Sequence, residues 1–227
     1  MTIIAAPPTT TLPGQLDPAM LGELRALAAA HCDSQGGCHG PDHGVRVERS
    51  ALAMARQMGG RADILAPAAI LHDIGRQAET ASRGQICHAE QGAEMAAAIL
   101  ADFGLAPALI EMICRAIRCH RFRGTNIPVS LEEKILFDAD KLDSIGAIGI
   151  GRAFLFAGQI GARLHNENND ASGTKAYSMD DTAFREFTVK LSKVKERMLT
   201  PLGQQLAQER HDFMTIFFKR LQGEMDI

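Results

Sequence analysis

Apolar residues recur along most of this chain at intervals of three and four, the spacing that lines one face of an α-helix, not the two-residue alternation of a strand. Asp17 followed by Pro18 reads as an N-cap and a first helical position, opening a helix through AMLGELRALAAAHC. CDSQGGCHGPDHG breaks that pattern. A second helix runs from about Pro41, with Val45, Ala51, Leu52, Ala55 and Met58 at roughly helical spacing, until Gly59-Gly60 stops it. A third covers roughly Ala62 to Ile74. The polar run RQAETASRGQIC reads as a loop, leading to helices from His88 through Leu100 and from about Pro107 to His120. Ser130 and Glu133 have the spacing of a capping box and open a long helical stretch through EEKILFDADKLDSIGAIGIGRAFLF. The polar segment GARLHNENNDASGTKAYSMDD, residues 161–181, reads as a surface loop able to close over a cleft. Two final helices follow, about Thr182 to Met198 and Pro201 to Glu224. With no strand alternation and no internal repeat, the pattern predicts an all-α protein, a compact helical bundle.

Length and composition narrow the picture. The 227 residues suffice for one sizeable core, and the division expected is an irregular Pro- and Thr-rich arm over residues 1–16 followed by a single helical domain over 17–227. A net charge of -3 gives no cationic field for long nucleic acids. A membrane span is not suggested either. Five cysteines, an odd number without regular spacing, fit a reducing compartment better than a disulfide framework. The first residues lack the basic region and apolar run of a secretory signal, so the expected location is cytoplasmic. Oligomeric state is left open.

The chemistry concentrates at APAAILHDIGR, where an alanine-rich helix ends on His72 and Asp73. Buried polar groups are expensive unless compensated, and a bound cation would compensate both. His43, His88 and His120 also stand at helix ends or beside acidic residues, and with Asp73 and Asp140 they make a nitrogen and oxygen donor set suited to a divalent ion. Adjacent helical residues diverge by about 100°, so convergence of His72 and Asp73 needs either a helix terminus, for which Gly75 is placed, or a cation lying between the two directions. Arg46, one turn from His43, and Lys141, beside Asp140, are the local cations for a phosphate or for a buried ion pair. Asp143 is placed to orient a ligand or Lys141, while Asp138 reads as a solvated or helix-pairing charge. Arg118, Arg121 and Arg123 could rim an anion site. Cys32, Cys38 and His39 lack the second paired element of a structural zinc site. His31, His165 and His211 read as surface or packing residues.

HGVRV, AAILHDIGR and above all EEKILFDADKLDSIGAIGIGRAF resemble the HD-domain superfamily of metal-dependent phosphohydrolases, in particular the bacterial hydrolases sharing a DADxLDxIGAxGIxRxF block. The resemblance runs from about Asp33 to Glu224. It implies an HD-type helical bundle and a metal set of His43, His72, Asp73 and Asp140, with His39 and Asp42 shaping the pocket mouth. His88 and His120 match the order of two further histidines in subfamilies that bind two ions, with Asp73 then bridging. Otherwise His88 caps its helix and His120 binds phosphate or donates a proton. The implied cofactor is a divalent ion, Mn, Mg, Co, Ni or Fe, at one site or two. The implied activity is hydrolysis of a small phosphorylated metabolite, most of all a nucleoside tri- or diphosphate, with Asp73 handling the attacking water, Arg46 and Lys141 balancing charge, and His120 serving the leaving group if it is not a ligand. Two alternatives share the fold: a di-iron oxygenase of organophosphonates or polyols, and a non-catalytic nucleotide-binding module. The Gly-Tyr-Pro motif of cyclic-dinucleotide phosphodiesterases is absent, Tyr177 standing outside any such tripeptide.

Overall fold

The computed structural model describes residues 16–31, 40–121, 126–166 and 173–225. These form α1 (Pro18–Ala30), α2 (Pro41–Met58), α3 (Ala62–Leu71), α4 (Arg76–Ala81), α5 (His88–Asp102), α6 (Pro107–Cys119), α7 (Leu131–Leu142), α8 (Gly146–Gln159), α9 (Ala183–Val189), a 3-10 helix (Leu191–Arg197) and α10 (Pro201–Met225). No strand occurs among the described residues, in line with the all-α reading. Of the expected N-terminal arm only Leu16 is described, and it packs against the core. Cys32, Cys38, His39 and Arg123 lie outside the described residues, as does part of the 161–181 segment.

The core is organised around α3, buried at every position from Ile64 to Leu71. A helix apolar all round must be surrounded, and α1, α2, α5, α6 and α7 all pack on it. A polar group at its end is therefore delivered to the middle of the molecule, which is how His72 comes to be 1 % exposed.

Helix starts follow the local chemistry. Asp17 Oδ1 accepts the Met20 amide 2.8 Å away and Pro18 occupies the first turn of α1. The capping box opens α7: Ser130 Oγ accepts from the Glu133 amide at 3.2 Å and the Glu133 carboxylate turns back to the Ser130 amide at 3.4 Å.

Three expectations about elements are revised. The run read as a loop after Gly75 contains α4, one and a half turns carrying Arg76 and Glu79. The long stretch after Ser130 is two helices, because the chain turns at Asp143–Ile145 and Gly146 adopts φ +76°, a left-handed conformation suited to glycine. The Thr182–Met198 helix is α9 followed by the 3-10 turn, with Lys190 at φ -135° interrupting helical geometry. The described flanks of 161–181 are tied to the start of α9: Thr182 donates to Asn166 Oδ1 at 2.6 Å and Asn166 Nδ2 to the Asp180 carbonyl at 2.9 Å.

Asp138, expected as a solvated or pairing charge, is fully buried and fastens α10 to α7. Its carboxylate accepts from the Leu199 and Thr200 amides, both at 2.8 Å, and from Thr200 Oγ1 at 2.6 Å. Burial nonetheless lifts its carboxyl above the ordinary range. Asp138→Ala strands these donors and is expected to lower stability by about 3 kcal/mol, a fall in Tm of roughly 6–12 °C by differential scanning calorimetry.

Candidate metal centre

Six side chains from five helix ends meet at one place. His43 lies in the first turn of α2, His72 caps the C-terminus of α3 with Asp73 in the turn after it, His88 begins α5, His120 caps the C-terminus of α6, and Asp140 lies in the last turn of α7. Of the two ways for His72 and Asp73 to converge, the helix terminus is present, since α3 stops at Leu71. Gly75 brings α5 close enough to deliver His88. A Cβ on Gly75 would stand 2.3 Å from the His88 carbonyl oxygen and 2.7 Å from the Gly92 amide nitrogen. Gly75→Ala must therefore push α5 outward, an expected loss of about 1–3 kcal/mol, together with loss of bound metal as measured by elemental analysis.

The carboxylate of Asp73 is the midpoint of the cluster. Its Oδ2 faces His43 Nε2 and His72 Nε2, each at 3.6 Å, and its Oδ1 faces His120 Nε2 at 3.5 Å and His88 Nε2 at 3.7 Å. Asp140 Oδ1 closes the first half, 3.4 Å from His43 Nε2. Two ligand atoms each about 2.1 Å from a common ion stand roughly 3–3.4 Å apart, close to these separations. The groups thus divide into His43, His72, Asp73 and Asp140 on one side and Asp73, His88 and His120 on the other.

Hydrogen bonds on the far side of each ring fix which nitrogen faces inward. His72 Nδ1 donates to the Ala69 carbonyl at 2.7 Å and His120 Nδ1 to the Ile117 carbonyl at 2.6 Å. His43 Nδ1 donates to Asp143 Oδ2 and His88 Nδ1 to Glu79 Oε2, both at 2.7 Å. A neutral imidazole with its proton on Nδ1 carries a lone pair on Nε2, the arrangement of a metal ligand oriented from behind. His88 Nε2 stands 3.2 Å from His120 Nε2, so two neutral rings oriented in this way would direct lone pair at lone pair. A cation held by both rings, within that half, would relieve the conflict. The donor set therefore fits one divalent ion, and a second across the Asp73 bridge.

The electrostatics agree. Burial pushes His72 down to about 4 and lowers His88, with Arg76 and His120 adding to the latter effect, so both rings are neutral near pH 7. His43 is also buried, yet the carboxylates of Asp140 and Asp143 outweigh burial and raise it to about 9 without metal. Burial opposes the charge on Asp140 as well, but Lys141 and His43 hold its carboxyl well below the ordinary range.

A second layer of charges supports the ligands. Asp143, held at about 2 by His43 and Arg46 against its burial, accepts from Arg46 Nε at 2.6 Å, Arg46 Nη2 at 3.0 Å and Arg152 Nη1 at 2.8 Å. Arg46 makes the ion pair that was one of its two expected parts: its guanidinium grips Asp143 and Asp42, behind His43. Lys141 Nζ contacts Asp140 Oδ2 at 2.5 Å and the His120 carbonyl at 3.1 Å, linking the two halves. Arg118 pairs with Glu90 and Glu111, each at 3.7 Å. Two residues of α4 were missed by sequence reasoning. Glu79 orients His88 and receives Arg121 Nη2 at 2.8 Å, while Arg76 Nε lies 2.8 Å from Asp73 Oδ2. The signal available was the three-residue interval between them, which puts both on one face of a helix.

Buried histidines from several helix ends gather around one carboxylate in a set that could hold a metal, and residues 42–145, which contain all six candidate ligands, match the HD domain family model. These matched residues form an HD domain. Among known proteins it is similar to the uncharacterized protein YpgQ of Bacillus subtilis (strain 168), 37% identical over 117 residues, 52% of this chain and 51% of that protein, so the match spans about half the relative's length. The crystal structure of Bacillus subtilis YpgQ in complex with ADP superposes with a TM-score of 0.69 at 25% identity, covering 90% of this chain and 97% of that one. A structure from an uncultured Thermotogales bacterium, described as a predicted HD superfamily hydrolase, gives a TM-score of 0.65 at 27% identity, covering 90% and 92%. No described helix is long and apolar enough to cross a membrane.

Proposed function

We propose that this chain is a cytoplasmic metal-dependent phosphohydrolase acting on a small phosphorylated metabolite, a nucleoside tri- or diphosphate above all, through a single domain over residues 17–227. The observation that carries the reading is Asp73, whose two oxygens face two separate pairs of inward-pointing histidine nitrogens. The relative YpgQ, whose structure holds ADP, supports a nucleotide as the ligand. Bound divalent ions would polarise a phosphoryl oxygen and lower the pKa of a water, supplying nucleophile and charge stabilisation together. Asp73, with one oxygen turned to each half, would hold the ions and orient that water, whose proton would pass to solvent. Lys141 and Arg76, the cations nearest Asp140 and Asp73, balance the charge that develops on the phosphoryl group. His120 serves as a ligand in the two-ion arrangement, which leaves leaving-group protonation to solvent.

The same six ligands favour a second reading, a di-iron oxygenase, since an Asp-bridged pair of nitrogen-rich sites also suits two irons. The test is elemental analysis of the purified protein with a hydrolysis panel of nucleoside triphosphates, diphosphates, monophosphates and simple phosphate esters, with manganese or magnesium, in air and under argon. Phosphate or pyrophosphate release at equal rates in both atmospheres is expected. Two irons per chain with oxygen consumption and no phosphate release would replace the hydrolase by the oxygenase.

A further inference from the structure

Beside the centre, α1, α2 and the end of α3 enclose a cavity of about 160 Å³. Arg25 and Ala28 line it from α1, Gly44 and Glu48 from α2, and Ile70 and Ile74 from α3 and the turn after it. His43, His72 and Asp73 form part of the same wall, so the cavity opens onto the first half of the metal centre.

Gly44 is the informative residue. A glycine inside a helix is less favourable than alanine. Here neither packing nor backbone requires it: a Cβ at Gly44 would meet nothing within 4 Å, and its φ lies outside the left-handed region. What the missing side chain provides is space against the backbone of α2, on the cavity side. The other end of the cavity is polar. Arg25 Nε donates to Glu48 Oε2 at 2.8 Å and Arg25 Nη2 to Glu48 Oε1 at 2.6 Å, with the Glu48 side chain 7% exposed. Beyond these two bonds a guanidinium retains donors and a carboxylate retains acceptor sites, so the pair can recognise a ligand edge carrying both.

We propose that this slot receives the nucleobase of a nucleotide whose phosphates lie at the metal centre, with the Arg25–Glu48 pair reading the polar edge of the base. The inference rests on the nucleotide phosphohydrolase reading above and deepens it. Small and aliphatic walls suit a planar heterocycle, and a ligand pocket of this kind takes its specificity from a few fixed polar groups. His43 and Glu48 are five residues apart on α2, about 7.5 Å along the helix axis, which leaves room for a sugar between phosphate and base.

The test is calorimetric titration of ADP and, separately, of pyrophosphate, each as its non-hydrolysable methylene-bridged analogue, into the manganese-loaded protein as wild type, Gly44→Ala and Gly44→Leu. Leucine fills the slot and favours helix, and alanine reports any effect of merely replacing glycine. The expected result is that Gly44→Leu weakens ADP by about tenfold or more while pyrophosphate changes by less than about twofold. Arg25→Lys, which loses the fork, is expected to alter the ratio of ADP to UDP affinity. Equal weakening of ADP and pyrophosphate, or no effect of leucine on ADP, would overturn the slot. Failure of the hydrolase reading shows separately as absence of phosphate release, because the titration reads binding alone.

Discussion

Asp73→Ala is expected to remove phosphate release by more than about 100-fold, beyond the usual effect of changing a group that merely supports a ligand. The substitution deletes the carboxylate shared by both halves of the centre, each of whose oxygens lies within 3.7 Å of two histidine Nε2 atoms. Bound metal should fall with activity. The helical signal in far-UV circular dichroism should persist, because Asp73 sits in a turn after α3 and the apolar contacts of that helix are made by Ile64 to Leu71. Retained turnover with a normal spectrum would remove Asp73 from the mechanism; loss of the helical signal would make its role structural.

Glu79→Gln is expected to separate the two halves. Glu79 receives His88 Nδ1 at 2.7 Å and pairs with Arg121 and Arg76. The amide keeps the shape and loses the charge that makes the imidazole a better donor to metal. Changes of this kind lower metal affinity or activity by about 10–100-fold. At limiting manganese the variant should therefore hold one ion per chain where the wild type holds two, and turnover should recover as manganese is raised. An unchanged stoichiometry would mean that His88 and His120 do not form a second site. Asp143→Asn is the matching change behind His43 and should affect the first half instead.

Sequence disclosed the parts of the centre that local patterns encode. His72 and Asp73 were conspicuous because an apolar helix ends on them, and His43, His88, His120 and Asp140 followed from the ligand order of the superfamily that the chain resembles. Helix starts were equally legible where the cap lies within three residues, as at Asp17 and Ser130. Partnerships across long separations were not. Arg46 and Asp143 are 97 positions apart, and nothing in HGVRV distinguishes an arginine that holds a phosphate from one that holds the carboxylate behind a ligand. Asp138 looked like a surface charge because its partners, Leu199 and Thr200, lie more than 60 residues downstream. Glu79 was hidden for a different reason: α4 is too short for hydrophobic periodicity to register, so a polar helical turn and a polar loop read alike. The slot beside the centre was invisible for the same reason as Arg46, since its three walls come from three helices.

The central claim is that water attacks phosphorus at this centre. The direct measurement is hydrolysis of a nucleoside triphosphate by the manganese-loaded protein in ¹⁸O-enriched water, with phosphate or pyrophosphate and the nucleotide product analysed by mass spectrometry and ³¹P NMR. One solvent oxygen is expected in a phosphorus-containing product for each bond cleaved, in air and under argon alike. Products whose formation requires oxygen and whose new oxygen atom comes from O₂ would contradict it.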